Sequence, residues 1–288
     1  MTDPATRGDC AASESRTPIG ALFLIFLRLG LTSFGGPVAH LGYFREEFIN
    51  RRQWMSERAY ADLVALCQFL PGPASSQVGI GVGLSHAGLP GALVAWLGFT
   101  MPSALALIAF GYGVVTFENR INPGILQGLK VVAVAVVAQA VWGMARNLCP
   151  DARRATIAVA AACGVLAAPT PLMQAGVIVL GGIAGLLFLK ADTADEHAAI
   201  SIPIGRGLAI ASLIVFFTLL IGLPVLVTLF PSHILALVES FYSSGSLVFG
   251  GGHVVLPLLQ SEVVPPAWVS NDAFLAGYGA TQAVPGPL

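Results

Sequence analysis

Apolar residues run along this chain in long blocks rather than in stripes. A helix on the surface of a soluble protein repeats its apolar positions every three to four residues, and a half-buried strand alternates. Here whole windows are apolar. Stretches near the roughly 20 residues a bilayer crossing demands fall at 19–36, 60–84, 89–116, 124–146, 154–169, 171–190, 206–230 and 234–251, and another opens near 272. The pattern predicts an all-α, polytopic transmembrane protein. Two stretches are irregular: 60–84 is interrupted by Pro71-Gly72-Pro73, and 154–169 is short. Between the first two, Arg45–Arg58 is amphipathic and rich in charge, which predicts an interfacial helix. Residues 1–18 form a polar tail. Lys190–Arg206, with Asp192, Asp195, Glu196 and His197, reads as a linker between halves.

Composition agrees with a lipid environment. The 288 residues are 56% hydrophobic and 10% charged, with a mean hydropathy of +0.80, where a soluble domain carries about 25% charged residues to keep its surface wet. No basic stretch is interleaved with aromatics, so nucleic acid is not an expected partner; membrane lipid is. Cys10, Cys67, Cys149 and Cys163 form no CxxC pair and no metal-ligand spacing with the five histidines, so neither a metal nor a cofactor is expected. The first apolar stretch has no small-residue cleavage site after it and reads as a span.

An internal repeat organises the rest. Phe34-Gly35-Gly36 recurs as Phe249-Gly250-Gly251, a separation of 215 residues, and in that register Phe26 matches Phe241, Gly30 matches Gly245, Leu41 matches Leu256 and Glu47 matches Glu262. At an offset of 214, Trp54 matches Trp268, Ser56 matches Ser270, Ala59 matches Ala273, Gln68 matches Gln282, and Pro71-Gly72-Pro73 matches Pro285-Gly286-Pro287. Apolar low complexity does not place Trp, Gln, Glu and Pro-Gly-Pro in one register. The expected organisation is a tail (1–18), a first repeat (19–190), a linker with a connecting span (191–233) and an incomplete second repeat (234–288). The second copy stops after Leu288, about where the first continues into Ala74, so the chain is expected to be a fragment or a truncated product.

The loop after the first span carries Arg45, Arg51, Arg52 and Arg58, whereas the matching loop, Gln260 to Asp272, carries no Lys or Arg. Under the positive-inside rule the two copies then insert in opposite directions, with Arg45–Arg58 cytoplasmic. Counting each stretch as a crossing places seven between equivalent points, an odd number that agrees. One loop dissents: Arg146, Arg153 and Arg154 fall outside on that count.

Inverted repeats in transporters place the substrate near the midplane on helices broken at equivalent points. The breaks here are Gly35-Gly36-Pro37 with Gly250-Gly251-Gly252, and Pro71-Gly72-Pro73 with Pro285-Gly286-Pro287. Glycine permits positive φ and proline removes a donor, so each triplet should open the helical ladder. After the second break, Ser75 or Ser76 is placed to cap a new half-helix whose N–H groups would attract an anion, with Gln77 and Gln68 as further donors; Gln282 is the counterpart of Gln68. Arg28 and Lys130, charges inside spans, are candidates to offset an oxyanion. Glu47, Glu262 and His40 are candidates for proton coupling, although Glu47 is equally suited to pair with Arg51. Trp54 and Trp268 most simply anchor the interface. An intramembrane enzyme would need clustered catalytic ligands that the spans do not show.

The residues Arg28-Leu29-Gly30-Leu31-Thr32-Ser33-Phe34-Gly35-Gly36-Pro37, His40, Trp54 and Leu66-Cys67-Gln68-Phe69-Leu70-Pro71-Gly72-Pro73 resemble the N-terminal half of the chromate ion transporter family, and Phe249 to Pro287 resembles the opening of its C-terminal half. The resemblance implies a two-domain, antiparallel carrier in the inner membrane. Such a carrier would export chromate from the cytoplasm against protons, with sulfate as a mimic, and pairing with a second copy as a homodimer is among its implications. A passive anion channel of the same architecture and a non-transporting remnant are the competing readings.

Overall fold

A computed structural model describes residues 17–116, 123–167, 171–188, 204–248 and 255–287, and every regular element among them is helical. In chain order these are α1 (Ile19–Thr32), α2 (Gly36–Arg45) running into a π-helical turn (Glu46–Arg51), α3 (Glu57–Phe69), α4 (Ala74–Thr116), α5 (Pro123–Leu148) and α6 (Ala152–Ala167). They are followed by α7 (Pro171–Phe188), α8 (Arg206–Leu229), α9 (His233–Ser246), α10 (Val255–Val263) and α11 (Asn271–Ala283).

The first three helices hold 14, 10 and 13 residues. At 1.5 Å per residue they are about 15–21 Å long, short of a hydrocarbon core of about 30 Å. They fold back instead of crossing. Ser33 leaves the helix and Gly35 takes φ 98°, a conformation an L side chain resists. The chain then reverses, and Phe26 on α1 meets Phe44 and Phe48 with ring centroids 6.2 and 5.3 Å apart. The same happens at the second break. Leu70 is extended, Gly72 has φ 116°, and beyond it Gly81 lies against Leu63 of α3.

Helix α4 doubles back too. Ala87 and Gly88 leave helical geometry, and Gly83 and Gly91 approach so closely that a Cβ on either would strike the other's carbonyl. The helix is therefore two antiparallel arms, 74–86 and 89–116, of which only the second is long enough to cross.

Two expectations change here. Stretches 19–36 and 60–84 are not single helices; the chain reverses at the break in each and forms a hairpin. Hydrophobic pattern records burial but not which way the chain heads after a break. The Arg45–Arg58 segment is also not one interfacial helix. It continues α2 as a π turn and then leaves helical order through Gln53, while Glu47 accepts from Arg51 and Arg52 at 3.2 and 2.6 Å and Arg45 reaches ahead to Glu57 at 2.6 Å. Trp54 on this segment is more than an interface anchor. It stacks on Phe48 (5.2 Å) and His86 (4.1 Å), with the Arg52 guanidinium 5.4 Å from its ring centre. His86 also meets the Thr17 hydroxyl at 2.9 Å. Thr17 precedes α1, Trp54 joins the two hairpins and His86 sits at the α4 turn, so the open ends of both hairpins lie on one side.

The core is Phe26, Phe44, Phe48 and Phe99 with Leu22, Val78 and Val82, all essentially inaccessible. Helix α1 lies directly against the second arm of α4 because both are bare at the crossing. A Cβ on Gly30 would stand 2.7 Å from the Phe99 carbonyl, and one on Gly98 3.0 Å from that of Phe23. Small residues allow this close approach where lipid offers no hydrophobic drive for helices to associate. By contrast α6, α7 and α8 turn large apolar side chains outward, among them Leu166, Leu186, Leu187 and Phe217, and α8 buries none of its residues. A helix that is apolar on every side and leaves most of its surface uncovered by protein has lipid as its solvent. The chain is a polytopic helical membrane protein.

Matched positions of the two copies share local geometry. Ser56 and Ser270 cap α3 and α11, each accepting at 3.2 Å from the N–H three residues on. Gln53 and Ala267 both adopt positive φ, 53° and 59°. Ser240 donates to Glu262 at 3.4 Å, bringing α9 against α10 as Phe26 brings α1 against α2. Gly250, Gly251 and Gly252 lie outside the described residues.

Gly98→Leu should overpack this crossing by about 1–3 kcal/mol or more and lower the thermal midpoint or the monodisperse yield of detergent-purified protein. Gly20→Leu, on the same α1 but with nothing within 4 Å, should leave both unchanged.

Candidate functional site

In a Pro-Gly-Pro triplet only the glycine has an N–H to place. The Gly72 N–H donates to the Val248 carbonyl at 2.6 Å, and the Gly286 N–H donates to the Ser33 carbonyl at 2.9 Å. Ser33 precedes Phe34-Gly35-Gly36, and Val248 precedes Phe249-Gly250-Gly251. Each copy's Pro-Gly-Pro tip is thus held by the residue ahead of the other copy's Phe-Gly-Gly. Two peptide donors at membrane depth are satisfied in this way, and the copies are joined at their breaks.

Beside this junction a cavity of about 400 Å³ opens between the arms of α4. Its polar lining is Ser76 and Gln77 from the first arm and Thr100 and Ser103 from the second, with Pro73 and Pro287 contributed by the two tips. Thr100 and Ser103 lie about 16 and 21 Å along an arm about 42 Å long, near its midpoint. The Ser103 hydroxyl is shared between the Thr100 carbonyl at 2.9 Å and the Pro287 carbonyl at 3.2 Å, which ties the arm to the second copy's tip. The Gln77 side chain folds back over the first tip, its Nε2 donating to the Pro71 carbonyl at 2.7 Å. Gly72 leaves room for this, since a Cβ there would stand 2.6 Å from Nε2. Gln77 Oε1 and Thr100 Oγ1 are buried without a hydrogen-bond partner.

Residues 20–186 and 235–288 match the family model described as chromate transporter. The chain belongs to the chromate transporter family. The two matched segments bracket the linker and α8. Chromate transporter relatives include a chromate transport protein of Pseudomonas aeruginosa, 26% identical over 93% of this chain and 63% of its own length. Another, from Cupriavidus metallidurans, is 25% identical over the whole chain and 70% of its own length. The Bacillus subtilis transporter YwrA is 39% identical over 30% of the chain and 49% of its own. The chain spans just under two thirds of the Pseudomonas relative. No solved structure matches it.

Within this chromate transporter fold the sequence-derived candidates divide. Pro71, Gly72, Pro73, Pro285, Gly286 and Pro287 gather at the crossed tips. Gly35 and Gly36, with φ 98° and 75°, and the buried Pro37 form the other tip of the first copy. Ser75 and Ser76 are not caps. The Gln77 N–H donates to the Pro73 carbonyl at 3.0 Å, so Pro73 takes the N-cap place and the serines fall in the first turn, Ser75 buried and Ser76 in the cavity wall. The freed amides at the tips do not hang open either: those of Gly72 and Gly286 are engaged across the copies.

The remaining candidates lie elsewhere. Gln68 is exposed on α3, and Gln282 reaches Thr281 Oγ1 at 3.4 Å. Arg28 is exposed on α1, and Lys130 of α5 pairs with Asp272 of α11 at 2.8 Å. Neither cation lines the cavity. His40 is buried, edge-on to Phe99 at 5.4 Å, with Nδ1 unpartnered. Glu47 is held by Arg51 and Arg52, and Glu262 by Ser240. Sequence reasoning passed over Thr100, Ser103 and Ser33. A signal was present, because Thr100 and Ser103 are the only hydroxyls in 93–111 and share one helix face with Trp96 and Leu107.

Gly72→Ala should move the Gln77 amide off Pro71 and strain the positive φ. The expected result is a thermal midpoint lowered by several degrees in purified protein (about 1–3 kcal/mol), with helical content kept. At Glu47, outside the spans, burial alone would raise the carboxyl's pKa, but Arg52 and Arg51 outweigh it and hold it below the ordinary range. A depressed folded pKa stabilises above the unfolded value and loses that contribution as pH falls through the folded one. Glu47→Gln should therefore cost about 1–2 kcal/mol at neutral pH, and the deficit against wild type should close below about pH 4 in thermal melts across pH.

Proposed function

We propose that this chain works in a secondary active transporter that exports chromate, or a sulfate-like tetrahedral oxyanion, from the cytoplasm, with protons as the coupling ion. The observation that carries this reading is the cavity at half depth whose walls include both Pro-Gly-Pro tips, each latched to the other copy. Such a site is shared by two units that can rock against each other, which is what alternating access requires.

The hairpins support an inverted arrangement. If they return to their own side, five segments cross between equivalent points: the second arm of α4, then α5, α6, α7 and α8. Five is odd, so the copies face opposite ways. On this count Arg146, Arg153 and Arg154 move to the same side as Arg45–Arg58, and Arg206 joins them. The loop that dissented under a seven-crossing count now agrees, and the positive-inside rule makes that side cytoplasmic. The membrane is then the inner membrane. The outward apolar faces of α6–α8 suit lipid and, in a homodimer, a second copy. Of the proton-coupling candidates, Glu262 and His40 are better suited than Glu47, which already serves two arginines.

In everted vesicles loaded with this chain, an imposed pH gradient should drive chromate accumulation above its equilibrium level, with sulfate competing. Flux that only ever runs down the chromate gradient would make the protein a channel. Absence of flux with intact protein would make the chain a non-transporting remnant.

A further inference from the structure

One fixed acceptor stands in the cavity wall among groups that serve in either sense, the Ser76 and Thr100 hydroxyls, and beside the second Gln77 N–H, which Pro71 leaves over. Only the NH2 of Gln77 can donate to the Pro71 carbonyl, since a flipped amide would set oxygen against oxygen. Oε1 is therefore fixed as an acceptor, and it is buried with no partner. The Ser103 proton is already shared between two carbonyls, so that hydroxyl offers a ligand lone pairs. Pro73 and Pro287 have no N–H to give. Thr100 Oγ1, also unpartnered, serves in either sense, and among the described residues no Lys or Arg lines the cavity.

A tetrahedral dianion brings four acceptor oxygens and two charges to such a wall. Its two charges would meet no cation among the described residues of the wall, and an oxygen set against Gln77 Oε1 would face an acceptor. A singly protonated oxyanion halves that charge and supplies the one donor that Gln77 Oε1 lacks. Accepting the oxyanion reading above, we propose that the site binds its anion in the singly protonated form, and that Gln77 selects for it. The chemistry separates two otherwise similar anions. Chromate takes up a proton near neutral pH, whereas sulfate does so only in strong acid.

The surrounding helices carry titratable groups of their own: Arg28 on α1, His40 on α2, Asp62 and Cys67 on α3, His86 on α4 and Tyr278 on α11. None of them lines the cavity. Their titration would act on any anion, so sulfate serves as the internal control.

The test is equilibrium binding of radiolabelled chromate and sulfate to the full chain in lipid nanodiscs across neutral pH. Apparent chromate affinity should fall as pH rises, approaching about tenfold per unit above the anion's own pKa, while sulfate binds more weakly and without a slope. Gln77→Leu should flatten the chromate profile and narrow the chromate-to-sulfate ratio by about tenfold or more. If that variant does not assemble, the wild-type profiles decide alone. A chromate profile that is flat, that rises with pH, or that sulfate shares would overturn the proposal and leave the oxyanion site standing. Failure to bind either anion at any pH would remove the oxyanion reading as well.

Discussion

A peptide N–H inside a bilayer has no water to bond to, and both Pro-Gly-Pro breaks in this chain answer to that constraint. The Pro-Gly-Pro triplets leave one donor each, and both donors find carbonyls in the opposite copy, Gly72 on Val248 and Gly286 on Ser33. Each unit supplies the carbonyl that the other's interruption takes up. The tips consequently meet, beside the gap between the arms of α4 that Ser76, Gln77, Thr100 and Ser103 line with polar atoms.

Close approach is the second condition. Gly30 and Gly98 let α1 press onto the second arm of α4, and Gly83 and Gly91 let α4 fold upon itself. Without those bare surfaces the arms would splay, and Gln77, Thr100 and Ser103 would not face one space. Charge is kept out of that space. Lys130 is paired with Asp272, and Glu47 sits between two arginines beside Trp54 and outside the spans. What remains at the centre is a neutral wall in which a few hydrogen-bonding groups stand among Ile80, Trp96, Ala104 and Leu107.

The helical, lipid-embedded character was legible in the apolar blocks, and the repeat was legible in the shared register of Trp, Gln and Pro-Gly-Pro. The breaks at Gly35-Gly36 and Pro71-Gly72-Pro73 were placed correctly, since adjacent glycine and proline permit positive φ and remove donors at one point, whereas single residues such as Pro102 and Gly98 are absorbed within a helix. The direction of the chain after each break was not legible. Nor was the role of Arg28 and Lys130, because a charge in an apolar window looks the same whether it faces a site, a counter-ion or the interface. Ser75 and Ser76 looked like caps until Pro73 proved to take that place.

By itself the sequence determined that the chain lives in lipid, that it carries one unit twice, and where its helices must stop. Each of those follows from local chemistry: side-chain hydrophobicity, a missing donor, a permitted φ. Only the tertiary structure decided that the chain reverses at its interruptions, that each tip is latched to the other copy, and that Thr100 and Ser103 join Gln77 around one cavity. Those are contacts between residues far apart in sequence. They depend on which bare surfaces meet and which carbonyl lies within reach of a stranded N–H.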